Sequence, residues 1–125
     1  MGYSYGGVGS LLAAALNPRA VRSLVVIEPP AFDVALDHPA VAALVARLEP
    51  VFAGARRMTP EEYDRGFDEG LGFNHVEAAN TARLDAARRE RRPWEAHIPL
   101  EALRTQPFPK LVFRGRAPRS ATSRR

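Results

Sequence analysis

Hydrophobic and polar positions divide the 125-residue chain into stretches of different period. From Val8 to Leu16 nearly every residue is apolar or small, and Asn17-Pro18 stops the run. That pattern predicts a short helix buried against a sheet on one side and closely packed elsewhere. Leu24-Val25-Val26-Ile27 is a continuous aliphatic run without alternation, closed by Pro29-Pro30. It fits a parallel strand covered on both faces. Leu111-Val112-Phe113, bounded by Pro109 and Gly115, predicts a further buried strand, expected beside the first and parallel to it.

Between these strands the period becomes that of amphipathic helices. Val41, Leu44, Val45, Leu48, Val51 and Phe52 recur at helical spacing after a start at Asp37 or His38 with Pro39. Pro50 is expected to kink or shorten this helix. Thr59-Pro60-Glu61-Glu62 is a strong helix start, with Thr as N-cap, Pro at the first position and Glu at the third. Tyr63, Phe67 and Leu71 give that helix its apolar side. A third helix is expected over Asn74–Arg91, where the closing arginines suit the negative end of the helix dipole. Phe32, Tyr63, Phe67 and Trp94 read as core or pocket wall of this helical region. Trp94 to Leu103 reads as a return toward the sheet. The fold class expected is α/β, with parallel core strands and an inserted helical region. Its parts are 1–30 (turn, helix and strand), 31–103 (helices and return), 104–115 (core strand) and 116–125 (a disordered basic tail). A small independent helical bundle is the alternative for the middle part.

Charge alters this picture little. The net charge is +4, but residues 114–125 hold five arginines and no acid, and the remainder carries one net negative charge. A basic tail without aromatics or a nucleic-acid motif points away from nucleic-acid binding. No apolar run is long enough for a membrane span and no signal peptide stands at Met1, so no membrane partner is expected. Cysteine is absent, which fits a reducing, cytoplasmic setting. The three histidines, His38, His75 and His97, lack metal-ligand spacing, so no metal or other cofactor is expected.

The chemistry lies at the front of the chain. Gly2-Tyr3-Ser4-Tyr5-Gly6 matches G-x-S-x-G and runs directly into the predicted helix. The motif alone arises often by chance. Followed by a small-residue helix, a Pro-terminated turn and a buried strand, it resembles the nucleophile elbow of the α/β-hydrolases over about residues 2–115. Rival glycine motifs fail: no lysine completes a P-loop, and Leu12 stands where G-x-G-x-x-G needs a glycine. The resemblance implies Ser4 as nucleophile on a strained turn and the backbone N–H of Tyr5 as half of an oxyanion hole. It also implies that Gly2 and Gly6 are small because the turn is tight. The helices of 31–103 would then be a cap, and the activity hydrolysis of a small-molecule ester or acyl substrate without a cofactor. Tyrosine at both x positions is a weak sign of thioesterase-like members.

The family pattern also requires a strand leading into the elbow and, later, an acid and a histidine. Here Met1 directly precedes Gly2, and Arg116-Ala117-Pro118-Arg119 stands where the acid is expected. The chain therefore reads as a piece truncated at both ends and inactive by itself. Glu28, at the end of the first aliphatic run, is the candidate substitute acid, against the commoner reading of a strand-end carboxylate bonded to nearby backbone. His97 is the best-placed candidate base, while His38 reads as a helix-start residue and His75 as part of a helix's first turn. The competing class is a non-catalytic remnant or interaction module whose apolar strand edges need a partner chain.

Overall fold

The computed structural model describes residues 1–75 and 80–115. The expected tail, 116–125, and residues 76–79 of the expected third helix lie outside this range. The described residues separate into two compact units, one drawn from 1–30 and 98–115, the other from 31–75 and 80–97.

The first unit is a mixed α/β arrangement around a three-stranded parallel sheet. Strand β1 is Gly2–Tyr3, helix α1 is Tyr5–Leu16, β2 is Leu24–Ile27, a short helix α5 is Leu100–Arg104, and β3 is Lys110–Phe113. The order is β1-β2-β3, with Gly2 opposite Val26 and Val26 opposite Val112. The two aliphatic runs are thus parallel neighbours, as their patterns predict. Gly7, Val8, Leu11 and Ala14 form the buried stripe of α1, which packs on β1 and β2. Leu24 and Val26 are buried, and Val26 is only 1% exposed. Asn17 ends α1, its N–H donating to the Ala13 carbonyl, and Pro18 follows as the predicted stop. Helix α5 lies against α1 with Leu103 buried, so the return segment packs with the sheet unit from Ile98 onward.

One expectation fails here. Strand β3 is not covered on both faces: Leu111, Val112 and Phe113 are 50%, 64% and 51% exposed. Paired residues of parallel strands share a face, so Tyr3, Val25, Ile27, Leu111 and Phe113 lie together on the side opposite Val26. Helix α1 covers the other side, over β1 and β2. An aliphatic run reports the need for cover, not its presence.

The second unit is helical: α2 (Pro39–Gly54), α3 (Pro60–Leu71) and α4 (Thr81–Ala87). His38 caps α2, with its Nδ1 accepting from the Ala40 N–H at 3.3 Å. Pro50 does not shorten α2, which continues to Gly54. The predicted capping box of α3 is complete: Glu62 N–H donates to Thr59 Oγ1 and Thr59 N–H to Glu62 Oε2. Phe52 is the aromatic hub, with edge contacts to Tyr63, Phe67 and, at 5.0 Å between centroids, Trp94. Helices α2 and α3 approach closely where Gly70 meets Leu48; a Cβ on Gly70 would stand 2.7 Å from Leu48 Cδ2.

The third helix departs from its predicted span. Asn74 and His75 are not helical, and α4 stops at Ala87, before the arginine run. Arg88, its C-cap, keeps a helical backbone, with its N–H donating to the Leu84 carbonyl at 3.0 Å. Its guanidinium donates to the carbonyls of Ala55 and Met58 and pairs with Asp85. It so satisfies backbone acceptors around the end of α2, which have no partner within that helix. Arg92 pairs in turn with Glu49 of α2 and with Glu95.

Two outcomes follow. Gly70→Ala is expected to cost about 1–3 kcal/mol by overpacking, and Leu48→Ala about 2–5 kcal/mol by leaving a cavity. The double variant should lose less than the two together, as urea melts of all four proteins would read; strict additivity would remove the contact. Separately, Leu111→Asn with Phe113→Asn should raise the monomeric fraction in size-exclusion chromatography at little stability cost, because both sites are exposed. Unchanged association would show that this face is not the sticky one.

Candidate functional site

The site is built at the end of β1. Parallel pairing extends past Tyr3, because the Ser4 N–H donates to the Ile27 carbonyl at 2.9 Å. Immediately afterwards the chain is helical, and the Gly7 N–H closes the first turn on the Ser4 carbonyl at 2.8 Å. Going from strand to helix within one residue forces Ser4 to φ 49, ψ −129. Left-handed φ in a non-glycine residue costs on the order of 1–3 kcal/mol and persists only where its surroundings impose it. The Ser4 hydroxyl makes no capping hydrogen bond to its own helix, although serine is among the preferred N-cap residues. Ser4 is exposed, and α1, beginning at Tyr5, directs its positive dipole end toward it.

The glycines divide this work differently from the motif's symmetry. A Cβ on Gly2 would overlap the Gly6 carbonyl oxygen and Ser10 Oγ, which itself donates to that carbonyl at 2.9 Å. A Cβ on Gly6 would meet nothing within 4 Å. The steric demand expected at Gly6 instead falls on Gly7, whose Cβ would stand 2.9 Å from Pro29 Cβ. Gly2 lets the strand pass under the first turn of α1, and Gly7 lets α1 settle on the end of β2. The crowding at Gly7 is a long-range contact, so the local motif carries no sign of it.

Glu28 occupies the corresponding place one strand over. It follows β2 as Ser4 follows β1, and it too has a left-handed backbone, at φ 47. Its N–H donates to the Phe113 carbonyl at 2.9 Å. Ser4 and Glu28 therefore end neighbouring parallel strands at the carboxyl edge of the sheet, where open α/β sheets bind their ligands. The Glu28 carboxylate lies against Gly115, where a Cβ would collide with Oε1. The pairing of strained backbones at Ser4 and Glu28 went unseen in the sequence, since nothing local to Ile27-Glu28-Pro29 announces a positive φ.

The histidines divide otherwise. None of the three falls within 1–30 or 98–125, the unit that carries Ser4. His38 is spent on the α2 cap and His97 is exposed. His75 is not in a helix's first turn; it follows the left-handed cap Gly72 of α3 and bonds Asp68. An open depression of about 580 Å³ in the sheet unit is lined by residues that include Met1, Ala14, Asn17 and Leu24. It lies at the start of β2, the end of that strand away from Glu28. Among the described residues, no helix is long and apolar enough to cross a membrane. No protein family, no curated protein and no solved structure matches the chain.

The strain at Ser4 makes a measurable claim. Ser4→Gly should stabilise the chain by about 1 kcal/mol, the relief of backbone strain exceeding glycine's added unfolded-state entropy. Gly2→Ala should destabilise it by about 1–3 kcal/mol, because Gly6 O is backbone and cannot move aside. Thermal melts of both variants check this, and a destabilising Ser4→Gly would mean that the turn is relaxed.

Proposed function

We propose that Ser4 is the nucleophile position of an α/β-hydrolase-type acyl-transfer site, and that this chain carries that elbow without its proton-transfer base. The observation supporting the reading is the left-handed Ser4 backbone between a parallel strand and a helix N-terminus, above a glycine no larger residue could replace. In such a site the serine Oγ attacks a carbonyl carbon of an ester or acyl substrate. The developing oxyanion is held by backbone N–H groups, and the resemblance to the family makes that of Tyr5 one of them. Water then releases the acyl group.

A serine hydroxyl at neutral pH is a weak nucleophile until a base takes its proton. The unit around Ser4 contains no histidine. Glu28, on the adjacent strand end, is a carboxylate and a weaker base than an imidazole. The reading is therefore of an elbow that keeps its geometry and does not turn over.

The test supplies the missing base. With a fluorophosphonate probe alone, Ser4 should label no faster than the other exposed serines. Added imidazole should accelerate labelling at Ser4 selectively, as peptide mass spectrometry would report. Hydrolysis of p-nitrophenyl butyrate by the untreated chain should equal that of Ser4→Ala. Equal labelling of all serines in imidazole would remove the elbow. Ser4-dependent turnover without imidazole would show that a base is already in place, and would make Glu28→Gln and His97→Gln the next variants.

A second reading, a non-catalytic interaction module, is favoured by one observation: the apolar side chains of β3 are half or more exposed. It shares the elbow geometry but assigns Ser4 no chemistry.

A further inference from the structure

Away from the elbow, a grouping of metal-ligating atoms lies on α3 and the turn behind it. Asp64 and Asp68 are one helical turn apart, so their carboxylates stand one above the other on the same face. Gly72, at φ 81, reverses the chain; its N–H donates to the Glu69 carbonyl at 3.0 Å, and the Phe73 N–H to that of Asp68 at 2.9 Å. The reversal brings His75 back onto the helix. His75 Nδ1 stands 3.0 Å from Asp68 Oδ2 and 3.9 Å from Asp64 Oδ2. One ligand atom from each residue lies within 4.8 Å of the other two. The side chains are 20%, 17% and 24% exposed for His75, Asp64 and Asp68, shielded from bulk water yet reachable from it.

We propose that Asp64, Asp68 and His75 bind one zinc ion. Three observations carry this beyond an ion pair. The donor set is mixed, one imidazole nitrogen with two carboxylates, which suits zinc and its first-row neighbours and not calcium or magnesium. The spacing fits: zinc bonds of about 2.0–2.1 Å in a tetrahedron set ligand atoms about 3.4 Å apart. The two separations from His75 Nδ1, 3.0 and 3.9 Å, bracket that value, and the two aspartate oxygens lie within 4.8 Å of each other. The helix's own charge is also unbalanced. Carboxylates at i, i+4 repel, and α3 adds Glu61, Glu62 and Glu69 against Arg65 alone. The remaining coordination position would hold water from the exposed side. The histidine spacing in the sequence gave no sign of this, because two of the three ligands are aspartates and the third arrives through a turn.

The site stands independently of the elbow chemistry. The full chain, stripped with chelator, is titrated with Zn²⁺ by calorimetry and with Co²⁺ by visible absorption. One equivalent should bind. Asp64→Asn, Asp68→Asn and His75→Gln should each weaken binding by more than the roughly 10–100-fold typical of an outer-shell partner. His38→Gln and His97→Gln should leave it unchanged. Far-UV circular dichroism checks that the variants fold. In the unaltered chain, Zn²⁺ should shift the His75 imidazole resonances and spare those of His38 and His97. Absence of saturable binding, binding indifferent to the three substitutions, or shifts at His38 or His97 instead would overturn the proposal.

Discussion

The hydrogen bond from the Ser4 N–H to the Ile27 carbonyl holds a strand's register at the residue where a helix begins. Because β1 still pairs at Ser4 and α1 starts at Tyr5, no relaxed backbone can join them, and the whole reversal falls on one left-handed serine. Several features elsewhere in the unit depend on that reversal. Gly2 must lack a side chain because the first turn of α1 passes directly over it, and Gly7 because that helix rests on Pro29. The buried stripe Val8, Leu11 and Ala14 then packs on β1 and β2, and those two strands gain one covered face. The energy that keeps Ser4 strained is thus the burial of this stripe together with the ladder. The strain in turn prevents the hydroxyl from being absorbed into an ordinary N-cap.

What was legible in the sequence follows the range of the physics involved. The capping box at Thr59 and Glu62, the start of α2 at Pro39 and the stop at Asn17-Pro18 are set within four residues, and they stand where local chemistry puts them. The parallel pairing of the two aliphatic runs was also legible, since buried strands separated by helices have few other arrangements. Long-range terms were not. Arg88 reaches back to backbone carbonyls around the end of α2, and His75 folds back onto Asp68. Each of these turns on a partner that is distant along the chain or beyond a turn. The exposure of β3 is the same lesson in reverse: its composition states a demand that only the rest of a fold can meet.

The two units also use charge differently. The unit that carries Ser4 has a carboxylate, Glu28, at the end of the neighbouring strand, and its stretches 1–30 and 98–125 contain no histidine. The helical unit is dense in charge, and two of its arginines tie elements together: Arg88 bonds the Ala55 and Met58 carbonyls and Asp85, and Arg92 pairs with Glu49 and Glu95. On the face of Asp64 and Asp68 a single imidazole meets two carboxylates.

The central claim is the sign of one dihedral angle. Nuclear magnetic resonance of the labelled chain measures φ at Ser4 through its amide-to-Hα contact and its one-bond Cα–Hα coupling. The account predicts a positive φ at Ser4 and at Glu28, with both amides protected from exchange by the carbonyls of Ile27 and Phe113. A negative φ at Ser4, in a chain whose α1 and β2 are otherwise formed, would contradict it.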